Sequence, residues 1–174
     1  MIRKMIITLL LFGISIVTYG CEEKTLDSQV KGTIVIKNNE NILRYLSSNT
    51  KSFDYENIYS LKELMKQDKE NIPYIKIGEM ITIEFKEENP DSLILFDDIL
   101  NQDGTLKYRG SQKTIELQKK GELYRIPILE HFATNLSSNI SDYNQGSTFR
   151  GFRVIGKWGG EQREIAFVIR TDPK

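Results

Sequence analysis

The sequence predicts a mainly β protein, an antiparallel sandwich of about seven strands with one short helix. Three observations predict it. Short stretches in which apolar and polar residues alternate recur roughly every ten residues from about residue 30 to the end. Clusters of Gly, Asn, Asp and Pro separate them, supplying turn chemistry. A three- and four-residue apolar spacing of helical type is picked out in one place, between residues 57 and 67.

Each element follows in order. Thr33-Ile34-Val35-Ile36 runs into the turn signal Asn38-Asn39, and residues 42–46 are predicted as the returning strand of a hairpin. Residues 47–55 read as loop. Ile58, Leu61, Leu64 and Met65 share one helical face, and Asn71-Ile72-Pro73 closes that helix. Ile81, Ile83 and Phe85 alternate with Thr82, Glu84 and Lys86, and Asn89-Pro90-Asp91 turns the chain. Leu93-Ile94-Leu95-Phe96 is apolar on both faces, the pattern of an interior strand. Residues 101–104 form the next turn. Alternation returns at residues 113–118, at Tyr124, Ile126 and Ile128, and at residues 151–158, where Phe152, Val154 and Trp158 share one face. Gly159-Gly160 then leads into Ile165, Phe167 and Ile169, a closing hairpin.

The first twenty residues have a different character. Arg3 and Lys4 precede an uncharged apolar run over residues 5–17, and Thr18-Tyr19-Gly20 leads into Cys21. Thirteen residues rise about 20 Å as a helix, short of a hydrocarbon core of roughly 30 Å. A cleaved export signal is therefore expected over residues 1–20. Val17-Thr18-Tyr19-Gly20-Cys21 resembles the lipobox of bacterial lipoproteins, with Thr18 and Tyr19 departing from its commonest form. The resemblance implies lipidation at Cys21, a diacylglyceryl anchor and a position on the extracytoplasmic face of a bacterial membrane. Two acyl chains at about 0.8 kcal/mol per methylene give stable anchoring. Cys21 is the single cysteine, so no internal disulfide can form.

Loss of Arg3 and Lys4 leaves 22 basic against 24 acidic residues in a mature chain of 154, a formal balance of −2. That balance argues against nucleic acid as a partner. Residues 21–29 read as a lipidated tether, with the polar stretch after the cysteine reaching up to ~28 Å when extended. Residues 30–174 read as a single domain, divided into a hairpin and helix (30–72) and a core sandwich (73–174). Ile77-Gly78 before Met80-Ile81-Thr82-Ile83, then Asn89-Pro90-Asp91, and Gly156-Lys157-Trp158-Gly159-Gly160 before Ala166-Phe167-Val168 together resemble small extracytoplasmic lipoproteins with an immunoglobulin-like sandwich. The resemblance covers residues 73–171 and implies fold and location, not chemistry.

Candidate reactive groups are few. His131 is the single histidine, and it reads as a polar loop residue after Glu130. Gly146-Ser147-Thr148 lacks nucleophile-elbow spacing. Asp97, Asp98 and Asp103 before Gly104 are weak metal candidates. Their spacing misses the helix-loop-helix calcium pattern, because Ile99 takes its first position and Gly110 stands where its Glu belongs. Arg150, Arg153, Lys157, Arg163 and Arg170 bias the last strand pair towards positive charge, read as a solvated sheet face. Trp158 is in phase with the core, and the tyrosines are scattered. No nucleophile, base and oxyanion set can be assembled, and no cofactor is implied. The favoured expectation is a lipid-anchored, non-enzymatic module binding a protein or envelope polymer. An envelope-acting hydrolase or metal-dependent enzyme, and an accessory subunit of an envelope complex, are the alternatives.

Overall fold

A computed structural model describes residues 34–174. The predicted signal, Cys21 and the tether lie outside the described residues. Two antiparallel five-stranded sheets pack face to face, so the domain is a β-sandwich. The first sheet contains β1 (Ile34–Asn38), β2 (Asn41–Ile42), β4 (Met80–Phe85), β7 (Lys119–Lys120) and β8 (Leu123–Pro127), in the order β2-β1-β4-β8-β7. The second contains β3 (Tyr45–Thr50), β5 (Ser92–Leu100), β6 (Lys113–Glu116), β9 (Thr148–Trp158) and β10 (Glu161–Thr171), in the order β3-β10-β9-β5-β6.

The alternation in the sequence explains the first sheet directly. Ile34, Ile36, Ile81, Ile83, Tyr124 and Ile126 point inward and are buried, while Lys37, Thr82, Glu84 and Arg125 take the other face. Leu93, Leu95, Phe152, Val154, Ile165, Phe167 and Ile169 meet them from the second sheet. Fully burying each such side chain contributes about 1.5–3 kcal/mol.

The second sheet is covered on both faces, which is why its central strands read as nearly continuous apolar runs. Helix α1 (Tyr59–Asp68) lays Leu61, Leu64 and Met65 against Leu46, Leu100, Ala166 and Val168 on the outer face. The close approach needs Gly151. A Cβ there would stand 2.8 Å from both Leu61 Cδ1 and Leu100 Cδ1.

Two local expectations are corrected. Asn41–Ile42 does fold back on β1, pairing Lys37 with Ile42. The chain then crosses to the second sheet, and β3 pairs with β10 from Tyr45 opposite Phe167 to Thr50 opposite Gln162. Polar Ser47, Ser48, Asn49 and Thr50 therefore form strand where loop was expected, because ladder hydrogen bonds come from backbone and not from side chains. Among the described residues the sandwich has ten strands, those beyond the expected seven or so including short pieces such as β2 and β7.

Strand register defines two ends. Ile34 pairs with Phe85, and Phe85 meets Trp158 edge-on at 5.6 Å, so β1 begins at the end of the β9–β10 turn. Met80 pairs with Pro127, and Thr148 with Thr171, at the opposite end. The eleven residues of β9 separate these ends by about 35 Å.

Candidate functional site

The connection from β8 to β9 builds the end opposite Ile34. It holds two short 3-10 turns, Phe132–Leu136 and Ile140–Tyr143, in an otherwise irregular path. Leu129, Phe132, Leu136, Ile140 and Tyr143 stay exposed, at 48%, 58%, 59%, 85% and 39%. Long connections without regular structure are commonly functional. Residues 128–147 contain no Lys or Arg, and their acidic residues are Glu130 and Asp142.

This loop is fastened by buried polar groups. Arg150 and Asp97 are both on the inner face of the second sheet and are 3% exposed. Arg150 Nε donates to Asp97 Oδ1 at 3.1 Å, Nη2 donates to Oδ2, and Nη1 donates to the Leu129 carbonyl at 2.7 Å. The two-pronged geometry matches a carboxylate and satisfies most of the guanidinium. One guanidinium thereby ties the loop to the sheet.

His131 is the second fastening, a residue of the loop as its sequence position suggested, and it is buried there. It is 2% exposed. Its Nδ1 accepts from the Ala133 backbone N–H at 3.2 Å, which leaves the proton on Nε2, 3.2 Å from the Asp97 carbonyl oxygen. Burial holds its pKa below the usual 6.5, with Arg150 acting in the same direction and Asp97 opposing. The ring is a neutral structural cap. Further bonds set the loop's far half. Thr134 Oγ1 lies 2.8 Å from the Pro173 carbonyl, Tyr143 Oη donates to the Ser137 carbonyl at 2.7 Å, and Asp142 takes both Lys107 and the Ser137 hydroxyl. Those two donors hold the Asp142 carboxyl below its usual range.

A second buried pair lies on the other face of the same strands. Arg153 is 0% and Asp98 1% exposed. Arg153 Nη2 donates to Asp98 Oδ2 at 3.5 Å, and Nη1 to the Asn57 carbonyl at 3.2 Å. Phe53 and Tyr55 each stand 5.0 Å from the guanidinium carbon, and Phe96 stands 6.0 Å away. Tyr55 Oη donates to Asp98 Oδ1 at 2.7 Å. Burial pushes the Tyr55 phenol up, and the Asp98 bond adds to it. Burial raises the Asp98 carboxyl as well, with Tyr55 and Arg153 opposing. The segment from β3 to α1 is thus strapped over the outer face.

The predicted metal candidates are placed apart. Asp97 faces inward to Arg150, and Asp98 faces outward to Arg153. Asp103 is in the turn, accepting from the Thr105 N–H at 2.9 Å and from its hydroxyl at 2.6 Å. Among the described residues no three His, Cys, Asp or Glu side chains converge on a metal-sized site. The expected solvated basic face is also corrected, since Arg150 and Arg153 are interior. The available signal was two arginines inside Phe149-Arg150-Gly151-Phe152-Arg153-Val154-Ile155, matched by two aspartates inside the other most apolar strand. Sequence reasoning missed the exposed loop stripe, although 129, 132, 136, 140 and 143 have three- and four-residue spacing.

At the Ile34 end, a cleft of about 210 Å³ is bounded by Phe85, Glu87, Glu88, Trp158, Glu161 and Arg163. Trp158 packs on the core edge as expected, donates from Nε1 to the Glu88 carbonyl at 3.2 Å, and carries Arg163 over its ring at 5.2 Å. Four of the nine residues that line the cleft are charged, and Arg163 already lies over the Trp158 ring. Among the described residues no helix is long and apolar enough to cross a membrane. No protein-family model matches the chain, and no curated protein matches it significantly.

Proposed function

We propose that this protein is a bacterial lipoprotein, held by a diacylglyceryl group on Cys21 to the extracytoplasmic face of a membrane, whose sandwich is a non-enzymatic binding domain. This is the role suggested by the resemblance to the lipobox and to immunoglobulin-like lipoproteins. One observation carries the binding half of the reading. Five large apolar side chains are held exposed on a loop that Arg150, Asp97 and His131 fix to the core. A surface that is both apolar and preorganised favours association, because little ordering entropy is lost on binding. The buried charged groups are consumed in holding loops, which supports a binding role over a catalytic one.

Labelling cells with radioactive palmitate tests the anchor. The wild-type chain is expected to take up label and to shorten by its first twenty residues. Cys21→Ser should do neither, and an unchanged acylated product from that variant would reject the lipoprotein reading.

A further inference from the structure

We infer that residues 53–57, the strap between β3 and α1, form a cover that opens while the sandwich stays folded. Opening uncovers Arg153, Asp98 and Phe96 on the outer face of the second sheet.

The attachment of the strap comes first. Among the described residues, no backbone–backbone hydrogen bond joins residues 53–57 to either sheet, and the Asn57 N–H turns back to the Asp54 carbonyl at 3.2 Å. Side chains hold the segment instead. Phe53 stacks on Phe96 with ring centres 4.4 Å apart, and Tyr55 Oη donates to Asp98 Oδ1 at 2.7 Å. Arg153 Nη1 donates to the Asn57 carbonyl at 3.2 Å and points to that of Asp54 at 3.5 Å. Phe53 and Tyr55 are nevertheless only half-buried. The two ends are firmer. Thr50 pairs with Gln162 at the end of β3, and Ile58 packs on the cluster that contains Leu61 and Leu64. A segment with fixed ends and few backbone bonds between them opens at a free energy below that of global unfolding.

The groups beneath the strap supply the reason to open. Arg153 and Asp98 are 0% and 1% exposed, yet they meet loosely. Their guanidinium–carboxylate bond is 3.5 Å long, and the buried Arg153 Nε has no hydrogen-bond partner among the described residues. Arg150, on the inner face, is the contrast, with Nε and Nη2 both on Asp97 and Nη1 on the Leu129 carbonyl. A buried pair of poor geometry recovers little of its desolvation cost, and opening returns both charges and the orphaned Nε to water. The Phe53 and Tyr55 rings over the guanidinium, each at 5.0 Å, and the Tyr55–Asp98 bond oppose this. Closure is therefore a balance of small opposing effects. Phe96 lies directly opposite Arg153 in the β5–β9 ladder. The open strap thus presents a cation, an anion and an aromatic ring side by side, on a face that the closed molecule hides.

The test is arginine modification by phenylglyoxal on the full-length chain in detergent. Chymotrypsin cleavage after Phe149 and Phe152 separates Arg150 from Arg153 for mass spectrometry, and exposed Arg125 sets the unprotected rate. Modification of a covered group follows the population of the open form. Without denaturant, Arg153 is expected to react more slowly than Arg125 but at least tenfold faster than Arg150. Its rate should stay flat in urea up to the unfolding transition, because local opening exposes little surface. Tyr55→Phe should raise the Arg153 rate about tenfold. Ile81→Val, which weakens the core on the first sheet, should leave that rate unchanged, since it destabilises the closed and open forms equally. Circular dichroism checks that both variants are folded. An Arg153 rate that climbs with urea alongside Arg150 and rises in Ile81→Val would overturn the inference in favour of global unfolding alone. No reaction at Arg153 below the unfolding transition, or no change with Tyr55→Phe, would overturn it too.

Discussion

Arg150 grips Asp97 with two nitrogens and the Leu129 carbonyl with the third, so one side chain joins β9, β5 and the loop that follows β8. Both partners are buried, and each is expensive to leave alone. Arg150→Met strands the Asp97 carboxylate in the core and frees the loop, with an expected loss of about 3–5 kcal/mol in urea denaturation. Adding Asp97→Leu to that variant should return part of the loss, since no buried charge then remains. A double variant no more stable than Arg150→Met would argue that the Leu129 bond, not the ion pair, carries the cost.

His131 predicts an acid-sensitive loop. Its folded pKa is lower than its unfolded value of 6.5, so the unfolded chain binds the proton more tightly. Its contribution to stability is full above pH 6.5 and is lost as pH falls below that value, with a limiting slope of about 1.4 kcal/mol per pH unit. Protonation also removes the acceptor for Ala133 N–H. The melting temperature should drop between pH 7 and pH 5.5, and His131→Gln should flatten that portion of the curve. An equal drop in the variant would exclude the histidine as its source.

Tyr55→Phe deletes one hydroxyl that donates to a nearly fully buried carboxylate. The expected cost is about 1–3 kcal/mol, the penalty for an under-satisfied buried group. The phenol's pKa is raised above 10 by burial and by Asp98, so its stabilising effect is present below pH 10 and is lost as pH rises beyond it. Spectrophotometric titration should find one tyrosine fewer ionising late in the variant.

Gly151→Ala tests the helix–sheet contact. The new methyl group meets Leu61 and Leu100 at 2.8 Å, and overpacking of this kind costs about 1–3 kcal/mol. Leu61→Ala alone should cost about 2–5 kcal/mol through the cavity it leaves. The two changes together should cost less than their sum, and strict additivity in the thermal denaturation cycle would show that the contact is not shared.

Much of the sandwich was legible because two-residue alternation acts locally. Ile81, Ile83 and Phe85 face the core for the same reason that their spacing suggested it, and Leu61, Leu64 and Met65 form one face of the helix with Ile58 packed beside them at its N-cap. The β3 strand was not legible, because Ser47 to Thr50 pair through backbone atoms with a strand more than a hundred residues away. The burial of Arg150 and Arg153 was hidden for a related reason. A charge is interior only if an opposite charge reaches it, and Asp97 and Asp98 reach them across 53 and 55 residues of chain.

The loop surface divides in the same way. Composition alone determined that residues 128–147 carry Leu129, Phe132, Leu136, Ile140 and Tyr143 and no basic charge, and the first 21 residues alone carry the resemblance to a lipoprotein signal. That those apolar side chains stay exposed, and that they stand at the end remote from Ile34, was decided by the tertiary structure. The physical reason is that exposure and direction depend on which distant groups close over a segment. Here Asp97, Arg150 and Pro173 bind the polar side of the loop to the sandwich, and its apolar side is left facing outward.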